Sequence, residues 1–410
     1  MLNPETIAIV KATAPVLKDH ALDITGRMYE VMFAERPDIR AMFVMSNQHD
    51  GGQPATLARA VHAYAANIDN LGALEGAVRR MAHRHVSLHV RPEHYPVVGH
   101  YLLGAIKDVL GDAANEQVLG AWKEAYEFLA NLLIDVEGKL YDAVETQPGG
   151  WRGWRRFTVD RRVRESDLIA SFYLKPADGG AIASFEPGQY VTVRADVPVQ
   201  GAVTRNYSLS DRPGLDHYRI TVKREPVPFE RPELGAGLLS NFLHDRVEEG
   251  DSLELGPALG DFTLDLKSDR PIVLLGGGVG LTPLVSMLHT LAARGDAREA
   301  WLIHGAINGR VHALRDEVRA LAERHGNIRK HFRYERPARS DVVGRDYDSA
   351  GRIDLALLRN LLGDADRDFY LCGPLPFMRA MHGALASWDV PAERVRTEFF
   401  GPAGEVTAAA

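Results

Sequence analysis

The sequence predicts an all-α domain, then a small antiparallel β-barrel, then an open α/β sheet, and three successive patterns along the chain predict that order. Up to about residue 145 apolar residues recur at helical spacing, as in Ile7, Val10, Ala14, Leu17 and again in Ile24, Met28, Val31, Met32. Tyr95–Leu110 and Asn115–Tyr141 repeat the pattern, with breakers at Pro37, Gly51-Gly52, Pro92 and Gly111-Asp112. Beyond Gln147-Pro148-Gly149-Gly150-Trp151, which reads as a linker, the period falls to two in Phe157, Val159, Val163, in Ile169–Leu174, in Gln189–Val193 and in Tyr218–Val222. Short strands between Gly and Pro turns make a barrel. From about Asp269 the apolar runs Ile272–Leu275, Ala300–His304 and Phe369–Cys372 are each followed by a candidate helix, the alternation of an α/β fold. The predicted domains are residues 1–146, 151–266 and 268–410.

Composition narrows the function classes. At 410 residues the chain is too long for one hydrophobic core. A net charge of −7 argues against a nucleic-acid partner. Arg152, Arg155, Arg156, Arg161, Arg162 and Arg164 read as a solvated strand face. One cysteine, Cys372, leaves no internal disulfide and no cysteine-held zinc or iron–sulfur centre. The start, Met1-Leu2-Asn3-Pro4-Glu5, lacks the features of a secretory signal. Residues Pro271 to Ala293 carry no charge, yet Gly276-Gly277-Gly278, Gly280 and Pro283 divide them into strand, turn and helix. We therefore expect a cytoplasmic protein with no membrane span and no obligatory protein partner.

The helical domain holds eight histidines, His20, His49, His62, His83, His85, His89, His94 and His100. Spacing alone does not choose among His83, His85 and His89, which share one helix. The ordered set Tyr29, Phe33, Phe43-Val44-Met45-Ser46-Asn47-Gln48, Gln53, Leu57, His85, Tyr95 and Glu137 resembles the globin half of bacterial and yeast flavohaemoglobins. The resemblance covers nearly the whole chain. It implies that His85 is the proximal ligand of a haem b iron, that Phe43 packs on the haem edge, and that Tyr95 and Glu137 stand behind His85. Gln53 and Leu57, four apart on one helix, would both look at the distal face. The Tyr29 hydroxyl and Gln53 amide would be neutral donors toward O2.

In the barrel, Arg205-Asn206-Tyr207-Ser208-Leu209 resembles the Arg-x-Tyr-Ser signature of the ferredoxin-reductase superfamily. By that resemblance Arg205 pairs with the FAD pyrophosphate, Tyr207 stacks on the isoalloxazine, Ser208 lies near its reactive nitrogen, and Tyr190 and Leu209 extend the site. Gly237-Leu238-Leu239-Ser240-Asn241 resembles the phosphate-binding helix start that comes after it, although the insertion Val227–Leu234 departs from the pattern just before it. Gly276–Gly278, Val279, Gly280, Leu281, Thr282 and Pro283 form a glycine-rich turn after a strand, suited to a pyrophosphate. Tyr370-Leu371-Cys372-Gly373-Pro374 with Phe377-Met378 resembles the second nicotinamide motif, and Glu398-Phe399-Phe400-Gly401-Pro402 the terminal one, whose Phe400 shields the flavin.

The resemblance implies an electron path from NAD(P)H through FAD to haem and a nitric oxide dioxygenase activity on NO and O2. The alternatives are a flavohaemoglobin variant acting as a hydroperoxide reductase or dehydrogenase, and, in another class, an oxygen-binding or gas-sensing globin. Asn308-Gly309-Arg310 leaves the choice between NADH and NADPH open.

Overall fold

The computed structural model describes residues 2–40, 52–228, 232 and 235–400, with the backbone alone for 52 and 53. Phe43, the side chain of Gln53, most of the Val227–Leu234 insertion, Gly401 and Pro402 lie outside the described residues. The chain forms two compact units, divided between Glu145 and Thr146.

The first unit is helical: α1 Pro4–Asp19, α2 Ala21–Glu35, the single turn α3 Pro37–Arg40, α4 Gly52–Ala66, α5 Glu75–Ser87, α6 His94–Leu110 and α7 Glu116–Thr146. The start of α1 shows why these ends fall where they do. Asn3 accepts a hydrogen bond from the Glu5 amide at 3.0 Å, and Pro4 occupies the first turn, where its missing N–H costs nothing. The apolar stripes meet in one core through Val10, Leu17, Ile24, Met28, Met32, Leu102, Ile106 and Trp122. A smaller cluster collects Tyr95, Ala130 and Leu133. Among the described residues, no helix is long and apolar enough to cross a membrane.

In the second unit, β1 Arg155–Arg164, β2 Ile169–Pro176, β3 Tyr190–Val197, β4 Gly201–Ser208, β5 Tyr218–Lys223 and β6 Ser252–Leu255 form one antiparallel sheet in the order β4-β3-β6-β1-β2-β5. Its two edges are joined by a bridge between Leu209 and Ile220, so the sheet curls into a barrel around Phe157, Phe172, Leu174, Val191 and Leu253. Two of its strands escape a reading by period: β4 shows no clean apolar alternation, and β6 alternates over only four residues. Helix α8 Leu238–Arg246 packs against the barrel through Leu239 and Leu243.

Arg152, Arg156, Arg161 and Arg164 are exposed, as a solvated face requires, while Arg155 and Arg162 are held. Arg155 is bonded to Asp178 and to the Gly149 and Ala181 carbonyls, with 13% of its side chain exposed. Arg161 lies 3.8 Å over the Tyr173 ring, and Arg162 donates to the His244 and Val247 carbonyls. At Arg155 and Arg162 the stem covers apolar surface while the head finds carbonyls, a grip that composition does not show.

The second sheet contains β7 Ile272–Gly277, β8 Ala300–Ala306, β9 Ile328–Tyr334, β10 Ser349–Ala350, β11 Asp368–Gly373 and β12 Val395–Phe399, with parallel neighbours in the order β10-β9-β8-β7-β11-β12. Helices α9 Leu281–Arg294, α10 Arg315–Arg324, α11 Leu355–Leu362 and α12 Leu375–Ala386 accompany it. From β7 the chain runs outward to β8 and β9, then returns to place β11 on the other side of β7. That reversal puts a crevice at the carboxyl ends of β7 and β11, where open α/β sheets take their ligands.

Candidate functional site

In the helical unit three residues far apart in sequence converge on one nitrogen. His85, in the last turn of α5, has its Nδ1 2.8 Å from Glu137 Oε1 and 3.0 Å from the Tyr95 hydroxyl. Tyr95 in α6 donates to the same Glu137 oxygen at 2.6 Å. Glu137, in α7, is 2% exposed. A carboxylate only accepts, so it selects the tautomer with the proton on Nδ1 and leaves Nε2 with its lone pair. Burial, reinforced by Glu137, pushes the Tyr95 hydroxyl pKa up, so it stays a donor. The triad is itself anchored. Tyr126 donates to the Tyr95 carbonyl at 2.7 Å, and its ring lies so close to Gly99 that a Cβ there would sit 2.5 Å from it. A glycine in α6 is thus required for the approach.

Tyr29 on α2 stacks on Phe33 with ring centres 5.2 Å apart. Tyr29, Phe33 and Leu57 pack into the same apolar core, and burial raises the Tyr29 pKa. Gln53 lies on α4 one turn before Leu57. His83 and His89 do not join the Glu137–Tyr95 pair: among the described residues only His85 does. Convergence in space therefore distinguishes His85 from His83 and His89, which spacing did not.

The second unit has an open cleft of about 260 Å³ between barrel and α/β lobe. Of the expected residues it is lined by Arg205, Tyr207, Ser208, Gly237, Leu238, Leu239, Ser240, Val279, Thr282 and Phe400. Burial lowers the pKa of Arg205 and raises that of Tyr207, so both polar ends stand in a low-dielectric wall. The Ser208 hydroxyl is buried and has no hydrogen-bond partner, although a buried hydroxyl normally has one. Gly237 opens α8, where a Cβ would meet Ser240 Oγ at 2.7 Å.

Tyr190, Leu209, Gly278, Gly280, Leu281, Pro283, Cys372, Gly373, Pro374 and Phe399 stand outside the cleft wall. Several of them build the crevice behind it. Gly278 has φ +55°, and a Cβ on Gly280 would lie 2.3 Å from the Cys372 carbonyl oxygen. The turn after β7 and the end of β11 therefore touch backbone to backbone. Cys372 is fully buried, and burial together with Glu398 pushes its thiol pKa well up.

Some groups at these sites receive no role from the sequence motifs. Thr221, Lys223 and Glu225 line the cleft, and the i, i+2 spacing of Thr221 and Lys223 on β5 was the available signal. Glu398, beside Cys372 in the sheet register, has an enclosed Oε2 without a partner. Burial pushes its carboxyl up to about 8. Beneath the glycine turn, His304 Nε2 donates to the Gly278 carbonyl at 2.9 Å, His304 Nδ1 lies 3.1 Å from His312 Nε2, and His312 Nδ1 lies 2.9 Å from the Tyr334 hydroxyl. No sequence signal marks that hydrogen-bonded chain.

The comparisons with known proteins divide the chain in the same way. Residues 26–133 match the globin family model, and residues 274–383 match the oxidoreductase NAD-binding domain model. The flavohemoprotein of Halalkalibacterium halodurans is 48% identical, covering 98% of both chains. That of Bordetella pertussis is 48% identical over 98% of this chain and 100% of its own. Among solved structures, a flavohemoglobin from Malassezia yamatoensis with bound FAD and heme superposes with a TM-score of 0.86 at 28% identity, over 98% of this chain and 100% of that one. Matched from end to end at nearly half identity, with a helical unit followed by a two-lobed reductase unit, the chain belongs to the flavohemoprotein family.

Proposed function

We propose that this chain is a nitric oxide dioxygenase, a cytoplasmic oxidoreductase that consumes NO, O2 and NAD(P)H. The observation that carries the reading is the buried Glu137–Tyr95 pair on Nδ1 of His85. Haem would supply the iron at which O2 reacts, FAD the conversion of a hydride into single electrons, and NAD(P)H the hydride.

The residues fit these groups. His85 would hold iron through Nε2, and a carboxylate on Nδ1 makes the imidazole more electron-donating, which favours O2 activation over carriage. By the resemblance, Tyr29 and Gln53 would donate hydrogen bonds on the opposite face, beside Leu57, and Phe43 would pack on the haem edge. Arg205 would take the FAD pyrophosphate, and the unsatisfied Ser208 hydroxyl would find its partner on the flavin ring beside Tyr207. The crevice of Gly278, Gly280 and Gly373, where a side chain on Gly280 or Gly373 would collide with backbone or Phe377, fits the close approach of a nicotinamide dinucleotide. Phe400 would cover the flavin until that nucleotide arrives. Glu398, uncharged below about pH 8, adds a neutral hydrogen-bond donor two residues away.

The test is NO consumption by the purified protein in air with NADH, followed by electrode and by nitrate yield. Nitrate should form in proportion to NO. In Tyr29→Phe, loss of one hydrogen bond to a partly charged oxygen, at about 1.5–3 kcal/mol, should speed O2 release about tenfold or more. NADH oxidation by the wild-type protein without nitrate would reject the reading.

A further inference from the structure

One charged cluster in the second unit lies away from the cleft and joins the two lobes. Arg219 in β5 has only 2% of its side chain exposed, between Tyr218 and Ile220 in a barrel strand. A guanidinium there needs a full set of partners. Its Nη1 and Nη2 donate to Glu317 Oε2 and Oε1, each at 2.8 Å, in a two-pronged contact with α10 of the α/β lobe. Its Nε donates to Ser210 Oγ at 3.2 Å, and Nη2 also donates to the Ser210 carbonyl. Glu317 is shared with His289 on α9. The next residue, Asp211, receives a hydrogen bond on its carbonyl from Ser286 of α9 at 2.6 Å.

These contacts grip a particular piece of chain. Ser210 and Asp211 come just after Ser208, which lines the cleft. Helix α9 continues directly from the turn that carries Val279 and holds Thr282 of the opposite wall. The two walls of the cleft are thus tied to each other a few residues behind their cleft-facing side chains. The lobes also share apolar contact, for Ile169 of β2 packs in the core of the α/β lobe. Apolar contact is non-directional and tolerates a slip. A fork of parallel N–H···O bonds does not.

We propose that Arg219 and Glu317 are a positioning pair for hydride transfer, fixing the nicotinamide lobe against the flavin lobe. The inference rests on the NAD(P)H-to-flavin part of the proposed function. Replacing a buried pair by apolar residues of similar volume often leaves stability unchanged, so Arg219→Met with Glu317→Leu should fold and keep FAD while losing the directional lock. A misplacement of about 1 Å can cost up to about a hundredfold in rate.

Two measurements on the full, flavin-loaded chain test it. Spin labels at Asp196→Cys on β3 and Asn360→Cys on α11, both exposed, report the lobe distance by pulsed dipolar spectroscopy, and the buried Cys372 stays unlabelled. The apolar double variant should broaden that distance distribution. Its flavin reduction at saturating NADH should slow about tenfold or more, with flavin content and reduction by dithionite unchanged, and Glu317→Gln should fall between it and wild type. A double variant with the wild-type distribution and rate overturns the proposal. So does one that sheds FAD, because the pair would then be holding the barrel together. If the wild-type chain itself were not reduced by NADH or NADPH, the functional reading would fail, and the distance measurement would still decide the lock.

Discussion

The helical unit and the reductase unit build their sites in opposite ways. In the first, His85, Tyr95 and Glu137 come from three helices and meet at one imidazole nitrogen, with side chains making every contact. In the second, the crevice is mainly backbone: Gly280 against the Cys372 carbonyl, and Gly277 against Gly373. A side-chain site is specified by which groups converge, and it tolerates drift in the chain between them. A backbone site is specified by what is missing, since any Cβ would occupy the space. The first should therefore fail by losing a partner and the second by gaining an atom.

His85→Ala makes the sharpest break. Absorbance should lose the haem Soret band while the flavin band stays, whereas His83→Ala should keep both. A full Soret band in the His85 variant would remove it as the iron ligand.

Acid should act on the reductase unit through its buried histidines. Burial holds His304 at about 4, below its ordinary 6.5, and His312 is lowered too. The unfolded chain then binds more protons, so the stability these neutral rings contribute is present above pH 6.5 and is lost as pH falls toward 4. At about 1.4 kcal/mol per pH unit, His304 alone accounts for about 3 kcal/mol. Urea midpoints of this unit at pH 7 and pH 5 read the effect, and His304→Gln should flatten the slope. An unchanged slope would show that His304 does not titrate in this range.

The glycines separate space from conformation. Gly280→Ala puts a Cβ 2.3 Å from a carbonyl that cannot move aside, at φ −62°, where alanine is unstrained. It should destabilise the unit by about 1–3 kcal/mol and weaken nucleotide binding. Gly278→Ala meets open space and suffers only from φ +55°, a penalty of about 1–2 kcal/mol. Calorimetric melting with and without NAD+ distinguishes them: equal loss of nucleotide binding in both would argue against steric exclusion at Gly280.

The smallest expected effect concerns the nucleotide's 2′ position. Arg310, on the loop after β8, bonds through Nε and Nη2 to Asp167, at 2.8 and 2.7 Å. The pair is exposed, so solvent screens it and it holds Arg310 only weakly. Asp167→Asn should free Arg310 and raise the NADPH-to-NADH ratio of kcat/KM by about two- to fivefold. If the ratio does not move, Arg310 does not face the nucleotide.

Helix periodicity, the change to period two and the strand–helix alternation were local, so the three architectures were legible, and so were the glycine turns and Arg205–Ser208. These signals lie in neighbouring residues, and a backbone turn is encoded where it occurs. The meeting of His85 with Tyr95 and Glu137, the grip on Arg155 and Arg162, the enclosure of Glu398 and the His304–His312–Tyr334 chain belong to the tertiary structure. Each depends on a partner tens of residues away, or on how much water a packed neighbour removes, and no local pattern carries that. Arg219 shows the division most clearly. As a residue it is an arginine in a strand, and only the packing of α10 onto the barrel gives its fork a carboxylate.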